Sequence, residues 1–352
     1  MPSVSHPQGS LWAGLPRVAL GQFPTPLEEA PRLAASLGGV PLFVKREDLS
    51  GLALGGNKTR QLEALMAAAL SARADTVVAT AAAHSNFCRT TAAAAAKLGL
   101  RAVLLLRGHA GLPITGNLLL DRLLGAEIEF IDTTDPYDPA VPARLEEIVA
   151  RLRVSGRRPH LVHVVGSSGA LGAAAYLPAA EELVRQCRTQ SISPSALYLA
   201  VGSGLTLAGL ALGLKHLGST MRVVGICVQR PASFMQPLII ERAGQAAALL
   251  GIATRLEAQD FELDDRHIGP GYGVATGAAL EAIELAARNE GLILDPIYSG
   301  KCMAGLAAHL RAGRFGPTGL VIFLHSGGTP GLFAYGADRL EEARSHNAGA
   351  AA

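Results

Sequence analysis

Short apolar runs alternate with longer stretches of helical periodicity along most of the chain. The segment TRQLEALMAAALSARA, residues 59–74, places Leu62, Leu65 and Met66 on one face of a predicted helix. The predicted strands are the apolar runs DTVVAT, RAVLLL, EIEFID, HLVHVV, ALYLAV, RVVGICV and LVIFLH. Stretches such as SNFCRTTAAAAAKLG, GNLLLDRLLG and ARLEEIVARLRVSG separate them and read as helices. This alternation predicts an α/β fold with mostly parallel sheets covered by helices on both faces.

Length and composition indicate a globular protein of two domains. The chain has 352 residues, of which 49% are hydrophobic and 17% charged, with a net charge of +2. Lysines and arginines are scattered, so we expect no nucleic-acid partner. The four cysteines are far apart and form no CxxC pair, which argues against a disulfide framework or a metal site and favours a reducing, cytoplasmic location. The N-terminus has no basic region followed by an apolar core, so no secretory signal is predicted.

One uncharged segment, from Thr189 to Leu214, is long enough to span a bilayer. It is interrupted by Pro194 and by VGSGLT. We therefore predict a strand, a glycine loop and a helix there, and no membrane association.

The loops that follow the predicted strands are rich in small polar residues. They are AAAHSN after DTVVAT, SSG after HLVHVVG, GSGLT after ALYLAV and SGGT after LVIFLH. Ligands of open α/β sheets bind beyond the carboxyl ends of the strands. We expect these loops to form the polar rim of one crevice.

The loop GSGLT is a candidate phosphate site between a strand and a helix. Backbone N–H groups, the helix dipole and two hydroxyls can hold a phosphate there. A dinucleotide fingerprint would need a third glycine where Leu207 stands, and an acid about twenty residues further on that RVVGICVQR lacks. The loop therefore favours a phosphomonoester, and a dinucleotide-dependent oxidoreductase or nucleotide-binding module is the alternative.

The stretch GLALGGNKTR sets Lys58 behind a glycine turn and at a helix start. The spacing misses a P-loop by one residue, because Asn57 separates Gly56 from the lysine. The glycines permit close backbone approach, and the helix dipole favours a lowered lysine pKa. A lysine near a monophosphate loop indicates pyridoxal phosphate, whose aldehyde forms a Schiff base with a lysine amine.

Several blocks together resemble the fold-type II pyridoxal phosphate enzymes, in the branch that contains 1-aminocyclopropane-1-carboxylate (ACC) deaminase and D-cysteine desulfhydrase. The blocks, in the family's order, are PTPLEEAPRLAASLGGVPLFVKREDLSGLALGGNKTRQLE, HSNFCRTTAAAAAKLGL, GNLLLDRLLGAEI, GPGYG, EGLILDPIYSGKCMAGL and LHSGGTPGLFAY. The resemblance implies two domains, each an open twisted mostly parallel sheet. The larger would comprise residues 1–58 and 166–352 and the smaller residues 59–165, in a homodimer.

The resemblance also implies roles for individual residues. Lys58 would hold the cofactor as a Schiff base and would later act as the amine that releases product. Asn86 would form a hydrogen bond with the cofactor's phenolic oxygen. Ser85 would lie beside the substrate's α-carbon or carboxylate, Tyr298 against the pyridine ring and Tyr272 on the substrate side. The residues that would cradle the phosphate are Gly202, Ser203, Gly204, Leu205 and Thr206. Without the resemblance, a Ser-Asn pair is also typical of a helix cap, and the tyrosines of core packing.

Two further positions bear on the reaction. Ring-opening deaminases of the family carry glutamate, directed at the pyridine nitrogen, where this chain has Ser299. Ser326 stands where deaminases have leucine and desulfhydrases threonine. A neutral hydroxyl leaves the ring a weaker electron sink, which suffices for elimination of a good leaving group. Both positions would contact the cofactor, and both favour α,β-elimination.

Two substitutions leave the substrate open. His84 replaces the family's glutamine and Phe87 its histidine or glutamine, on a predicted substrate wall with Ser85, Asn86 and Tyr272. The prediction is a lyase that acts on a small thiol-bearing amino acid and yields pyruvate, ammonia and sulfide or thiol. The alternatives are an ACC deaminase, and a C–S lyase or β-replacement enzyme for a bulkier S-substituted cysteine.

Overall fold

The computed structural model describes residues 4–5, 12, 14–163, 166, 168–316 and 319–336. In this part of the chain the strands are β1 (Val4–Ser5), β2 (Arg17–Val18), β3 (Leu27–Glu29), β4 (Leu42–Lys45), β5 (Thr76–Ala82), β6 (Arg101–Arg107), β7 (Glu127–Ile131), β8 (Pro159–Val162), β9 (Ala196–Val201), β10 (Arg222–Cys227), β11 (Phe261–Asp264) and β12 (Val321–Leu324). The helices are α1 (Pro31–Ser36), α2 (Lys58–Ser71), α3 (Asn86–Leu98), α4 (Gly116–Leu123), α5 (Ala140–Val154), α6 (Gly169–Ala174), α7 (Leu177–Thr189), α8 (Leu205–His216), α9 (Ala232–Leu250), α10 (Gly277–Glu290), α11 (Ser299–Arg311) and α12 (Thr329–Leu332). The predicted alternation is confirmed; the ends of HLVHVV (Val164, Val165) and the start of the SSG loop (Ser167) lie outside the described residues.

The strands form two principal sheets. The larger has the order β11-β10-β9-β12-β4-β3 and is parallel except for β3, which pairs antiparallel with β4. The smaller has the order β7-β6-β5-β8 and is parallel throughout. The predicted α/β fold with mostly parallel sheets is confirmed.

Helices cover both faces of each sheet, so alternate residues of a strand pack into different cores. On β9, Leu197 and Leu199 belong to a core shared with α8, whereas Ala196 and Tyr198 belong to a core shared with α11. On the smaller sheet, Val77 packs towards α2 and α3, while the next residue of β5 packs towards α5. A fully buried side chain of this kind contributes about 1.5–3 kcal/mol. Strands buried on both faces explain the continuous apolar runs in the sequence.

A network of buried charged side chains attaches the segment between β4 and α2 to α7. Lys45 at the end of β4 contacts Glu182 on α7 at 2.5 Å, and Arg60 on α2 contacts Glu47 at 2.7 Å and Glu182 at 2.8 Å. All four side chains are less than 10% exposed. The hydroxyl of Tyr176 donates to Glu47 at 3.0 Å or to the backbone carbonyl of residue 57 at 2.9 Å. Two cations and two carboxylates balance, so the network holds this loop without a net buried charge.

The uncharged segment from Thr189 to Leu214 forms the last residue of α7, then β9, a glycine loop and most of α8. This confirms the predicted strand, loop and helix. No helix within the described ranges is long and apolar enough to cross a bilayer.

Candidate functional site

A pocket lies where the carboxyl ends of the two sheets face each other. Ala82 of β5 and Arg107 of β6 line it from the smaller sheet, and Ala200 of β9 lines it from the larger one. The loops that follow β5, β9 and β12 reach the same pocket through Ser85, through residues 202–204 and through Ser326. Three of the four predicted strand-end loops therefore meet in one crevice.

Lys58 enters the pocket as the first residue of α2. The preceding turn requires glycine: Gly55 has φ +64°, and a Cβ added there would lie 1.8 Å from the carbonyl oxygen of Asp48. Asn57 then fixes the position of the lysine against the loops after β9 and β12. Its N–H donates to the carbonyl of Ser326 at 2.9 Å, and its Nδ2 donates to Thr206 Oγ1 at 3.0 Å. The glycine turn thus places the amine between two strand-end loops.

Burial lowers the pKa of the Lys58 amine to about 8. No carboxylate in the described part of the chain forms an ion pair with it, which distinguishes it from Lys45 and Lys215. An unpaired, desolvated amine has a larger neutral fraction near neutral pH than an exposed lysine, and the neutral form is the nucleophile.

The predicted phosphate loop joins β9 to α8. Gly204 adopts φ +81°, and a Cβ there would lie 2.8 Å from the side chain of Ile239. The helix starts at Leu205, so its first N–H groups and the positive end of its dipole face the loop. Gly202, Ser203, Gly204 and Thr206 line the pocket. The Leu205 side chain is fully buried outside that lining, so this residue offers only its backbone.

On the side of the smaller sheet, the N-terminus of α3 lines the pocket with Ser85, Asn86 and Phe87. Ser85 caps the helix, because its Oγ accepts the N–H of Phe87 at 3.1 Å and that of Cys88 at 3.4 Å. The amide of Asn86 is oriented by Asn117, whose Nδ2 donates to Asn86 Oδ1 at 2.8 Å. Because its oxygen is engaged, the NH₂ group of Asn86 is left as the donor for a ligand.

Two tyrosines close one side of the pocket. The hydroxyls of Tyr272 and Tyr298 are 2.6 Å apart, and the Tyr298 ring lies so close to Gly202 that an added Cβ would be 3.1 Å from it. Burial raises the pKa of both phenols, that of Tyr298 well above its ordinary value. Both therefore keep their protons at neutral pH. One proton serves the bond between them, so the other is available to a ligand.

Ser299 and His84 are not among the residues that line the pocket. Ser299 is fully buried at the start of α11, and its Oγ donates to Asp295 at 2.6 Å. The same carboxylate accepts the N–H groups of Tyr298 at 2.9 Å and of Ser299 at 2.8 Å. The backbone carbonyl of His84 accepts from Asn117 at 2.8 Å. The remaining predicted residues, apart from Leu205, are brought together.

The electrostatics of the pocket favour anions. Lys58, Arg107 and Arg230 line it, and no carboxylate does so among the described residues. Arg230, after β10, pairs with Asp135, after β7, at 2.5 Å. Its guanidinium also lies 5.5 Å from the ring centroid of Tyr137, which follows Asp135 by two residues. This contact joins the two sheets' loops at the pocket.

Sequence reasoning missed Arg107, Asn117 and Arg230. Arg107 ends β6 and Arg230 follows β10 by three residues, so the strand-end rule that found the other loops also covers them. Asn117 stands in the GNLLLDRLLGAEI block, but its contact with Asn86 depends on how α3 and α4 pack.

The pocket suits pyridoxal phosphate on three counts. It offers an amine without an ion-pair partner, a helix N-terminus behind a glycine loop for a phosphate, and an oriented amide donor. These groups are supplied by Lys58, residues 202–206 and Asn86. The first two follow strands of the larger sheet, and Asn86 follows a strand of the smaller one.

Comparisons with known proteins agree with this fit. The pyridoxal-phosphate dependent enzyme family matches residues 18–327. A D-cysteine desulfhydrase from Salmonella typhi is 42% identical over 326 residues, which cover 91% of this chain and 96% of the relative, and one from Salmonella choleraesuis is 41% identical over the same shares. A crystal structure described as that of an ACC deaminase homologue has a TM-score of 0.85 and 38% identity, covering 94% of this chain and 97% of that chain. The chain therefore belongs to the pyridoxal-phosphate dependent enzymes, in the family of the D-cysteine desulfhydrases and ACC deaminases.

Proposed function

We propose that the protein is a lyase that eliminates the β-substituent of a small thiol-bearing amino acid, as the name D-cysteine desulfhydrase describes for its relatives. With cysteine and one water, the products would be pyruvate, ammonia and hydrogen sulfide. The observation that carries the proposal is the meeting of Lys58, the loop 202–206 and Asn86 in one cationic pocket. The identity of 42% to a D-cysteine desulfhydrase supports the reaction class.

When bound, pyridoxal phosphate supplies an electron sink for the substrate's α-carbon. Lys58 would hold the cofactor covalently; once the substrate's amine has displaced it, its free amine would be the base for the α-proton and the group that releases the product. The glycine loop and helix N-terminus at residues 202–206 would hold the phosphate, and Asn86 would donate a hydrogen bond to the cofactor's phenolic oxygen. Ser85 Oγ accepts two N–H groups, which fix the hydroxyl in the pocket wall on the substrate side. The Tyr272–Tyr298 pair holds a proton beside the same space.

Elimination is favoured over ring opening by the surroundings of Tyr298. No carboxylate lines the described pocket, and the nearby Asp295 is engaged by the N-terminus of α11. Ser299 donates its proton to that carboxylate, so it does not protonate a ligand. Ser326 is the hydroxyl that reaches the pocket. The weaker electron sink that such a site provides is sufficient for a substrate that loses a good leaving group.

ACC deamination is the second candidate, because the solved structure described as an ACC deaminase homologue covers nearly the whole chain. It predicts ring opening of ACC with release of ammonia. A β-replacement enzyme for a bulkier S-substituted cysteine would instead need an added nucleophile and release little pyruvate.

The experiment compares the visible absorption of purified wild type, Lys58→Ala and Lys215→Ala, before and after addition of D-cysteine. Lys215 lies on the exposed end of α8 and pairs with Asp260, so its variant controls for loss of a lysine. We expect a Schiff-base band in wild type and in the control, its loss in Lys58→Ala, and sulfide from the first two. A band with ammonia from ACC and no sulfide from D-cysteine would favour the deaminase. A protein that does not take up pyridoxal phosphate would refute the proposal.

We also propose the division into a larger domain, residues 1–58 and 166–352, and a smaller one, residues 59–165. The two sheets support it, since the smaller sheet is built entirely from strands between Thr76 and Val162. A cytoplasmic homodimer without nucleic-acid partners completes the proposal. The four buried, unbridged cysteines support a reducing compartment. Light scattering of the purified protein tests the dimer.

A further inference from the structure

Arg107 is a pocket-lining cation to which the proposed mechanism gives no role. It ends β6, only 8% of its side chain is exposed, and what is exposed faces the pocket. Its Nε is buried without a hydrogen-bond partner among the described residues.

No carboxylate in the described chain neutralises this guanidinium by direct contact. Asp135 attracts it, but the Asp135 carboxylate is already paired with Arg230 at 2.5 Å. A buried charge without a partner carries a large desolvation penalty. An anionic ligand in the pocket would remove that penalty.

The position of Arg107 places this anion on the substrate side. Besides Asp135 and His163, the groups that interact with it electrostatically are Tyr272, Cys88 and Tyr298, whereas the phosphate loop follows β9 of the other sheet. The N-terminus of α3 lines the same pocket through Ser85, Asn86 and Phe87, and two of its N–H groups are bonded to Ser85 Oγ, so Arg107 would add the positive charge that this wall lacks. Phe87 adds no polar side chain to it.

We propose that Arg107 binds the α-carboxylate of the amino-acid substrate. The inference rests on the proposed function and adds to it the group that selects amino acids over amines or amides. A guanidinium binds a carboxylate with two parallel N–H donors, which also fixes the rotation of the substrate about its α-carbon. Arg107 is thus a substrate-binding residue contributed by the smaller sheet.

The test compares D-alanine with D-alaninamide, which lacks only the carboxylate charge, by titrating the cofactor absorbance of the loaded enzyme. The L pair is titrated in parallel. Neither compound has a β leaving group, so the titration does not depend on elimination. Wild type, Arg107→Met and Arg144→Gln are compared; Arg144 is an exposed arginine of α5 and serves as the control. For each variant, the ratio of the dissociation constants of amide and acid is divided by the same ratio for wild type. This division cancels the effect of the different basicities of the two amines.

We expect Arg107→Met to lose roughly 10- to 100-fold of the acid preference, as for a lost charge-assisted bond. KM for D-cysteine should rise by a similar factor, with a smaller change in kcat. Arg107→Met should also unfold at the same or a higher temperature without amino acid, because it removes an uncompensated buried charge. Arg144→Gln should keep the wild-type preference.

An Arg107→Met protein with wild-type acid preference would overturn the inference, and so would one that fails to fold, since Arg107 would then be structural. Loss of the cofactor band in this variant would assign Arg107 to the cofactor instead. Wild type that binds the cofactor but releases no sulfide would refute only the proposed elimination, and the acid–amide comparison would still decide the role of Arg107.

Discussion

Replacing Glu47 by glutamine should destabilise the protein strongly, although it removes only a charge. Glu47 accepts two hydrogen bonds from Arg60, at 2.7 and 2.8 Å, and one from the hydroxyl of Thr25 at 2.7 Å. The variant leaves Lys45 and Arg60 buried with Glu182 alone. An excess buried cation is the expected source of the destabilisation.

The magnitude follows from the pKa of Glu47. Burial alone would raise this pKa, but Arg60 and then Lys45 attract the carboxylate and lower its pKa from 4.5 to about 2. At about 1.4 kcal/mol per pKa unit, the shift corresponds to about 3 kcal/mol of stability. Removal of one partner from a buried ion pair costs a similar amount, about 3–5 kcal/mol.

The pH dependence has a definite sign. Because the folded pKa is depressed, the contribution is complete well above pH 4.5 and is lost as the pH falls towards 2. Roughly 1 kcal/mol of it is gone by pH 3.5. The gap between wild type and Glu47→Gln should therefore be widest at neutral pH and narrow on acidification.

The assay is thermal unfolding of the cofactor-loaded enzyme at pH 7, with urea unfolding between pH 7 and 3.5. We expect Glu47→Gln to unfold roughly 5 °C below wild type at pH 7. Glu147→Gln is the control, since Glu147 is 64% exposed and pairs with Arg144 at the surface. Equal midpoints at pH 7, or a gap that does not change with pH, would refute the reasoning.

Three further predictions concern the pocket. The rate of pyridoxal phosphate uptake by cofactor-free protein should rise through a midpoint near pH 8, the lowered pKa of Lys58; a midpoint near 10 would contradict a desolvated amine. Asn117→Leu should weaken cofactor retention about tenfold in equilibrium dialysis, because Asn86 loses the donor that orients it, and unchanged retention would exclude that role. Gly204→Ala should lose more than about 1 kcal/mol of stability in urea and bind cofactor less tightly, because its Cβ meets an isoleucine. Gly218→Ala, at φ +67° in open space, should show only the backbone strain; equal losses would argue against the clash.

The fold was predictable wherever strands are long and buried on both faces. The run DTVVAT became β5 and ALYLAV became β9 with its bounds unchanged. The short strand β4 was missed, although it lies between β12 and β3 in the larger sheet. It ends in Lys45, and a lysine usually marks a solvated strand end. Its burial depends on Glu182, 137 residues away, which no local pattern encodes.

The candidate site was predictable where a loop has an unusual composition. Glycines and hydroxyls marked residues 202–206, Ser85 and Ser326, and all three regions reach the pocket. Arg107 was overlooked because an arginine after an apolar strand is normally exposed. Here Tyr272 and Tyr298, more than 160 positions later, line the same pocket. Which strand-end residues become buried depends on the second sheet, and this is information about tertiary packing.

The position of β12 has a consequence for how the enzyme is made. This strand pairs with β9 on one side and with β4 on the other, so it joins the two halves of the larger sheet. It is also the last strand of that sheet to leave the ribosome. A nascent chain that has completed Lys58 and the phosphate loop still lacks the strand that brings them to one edge. Cofactor capture therefore waits until β12 has been synthesised, and truncation before Val321 would leave two partial sheets and no site.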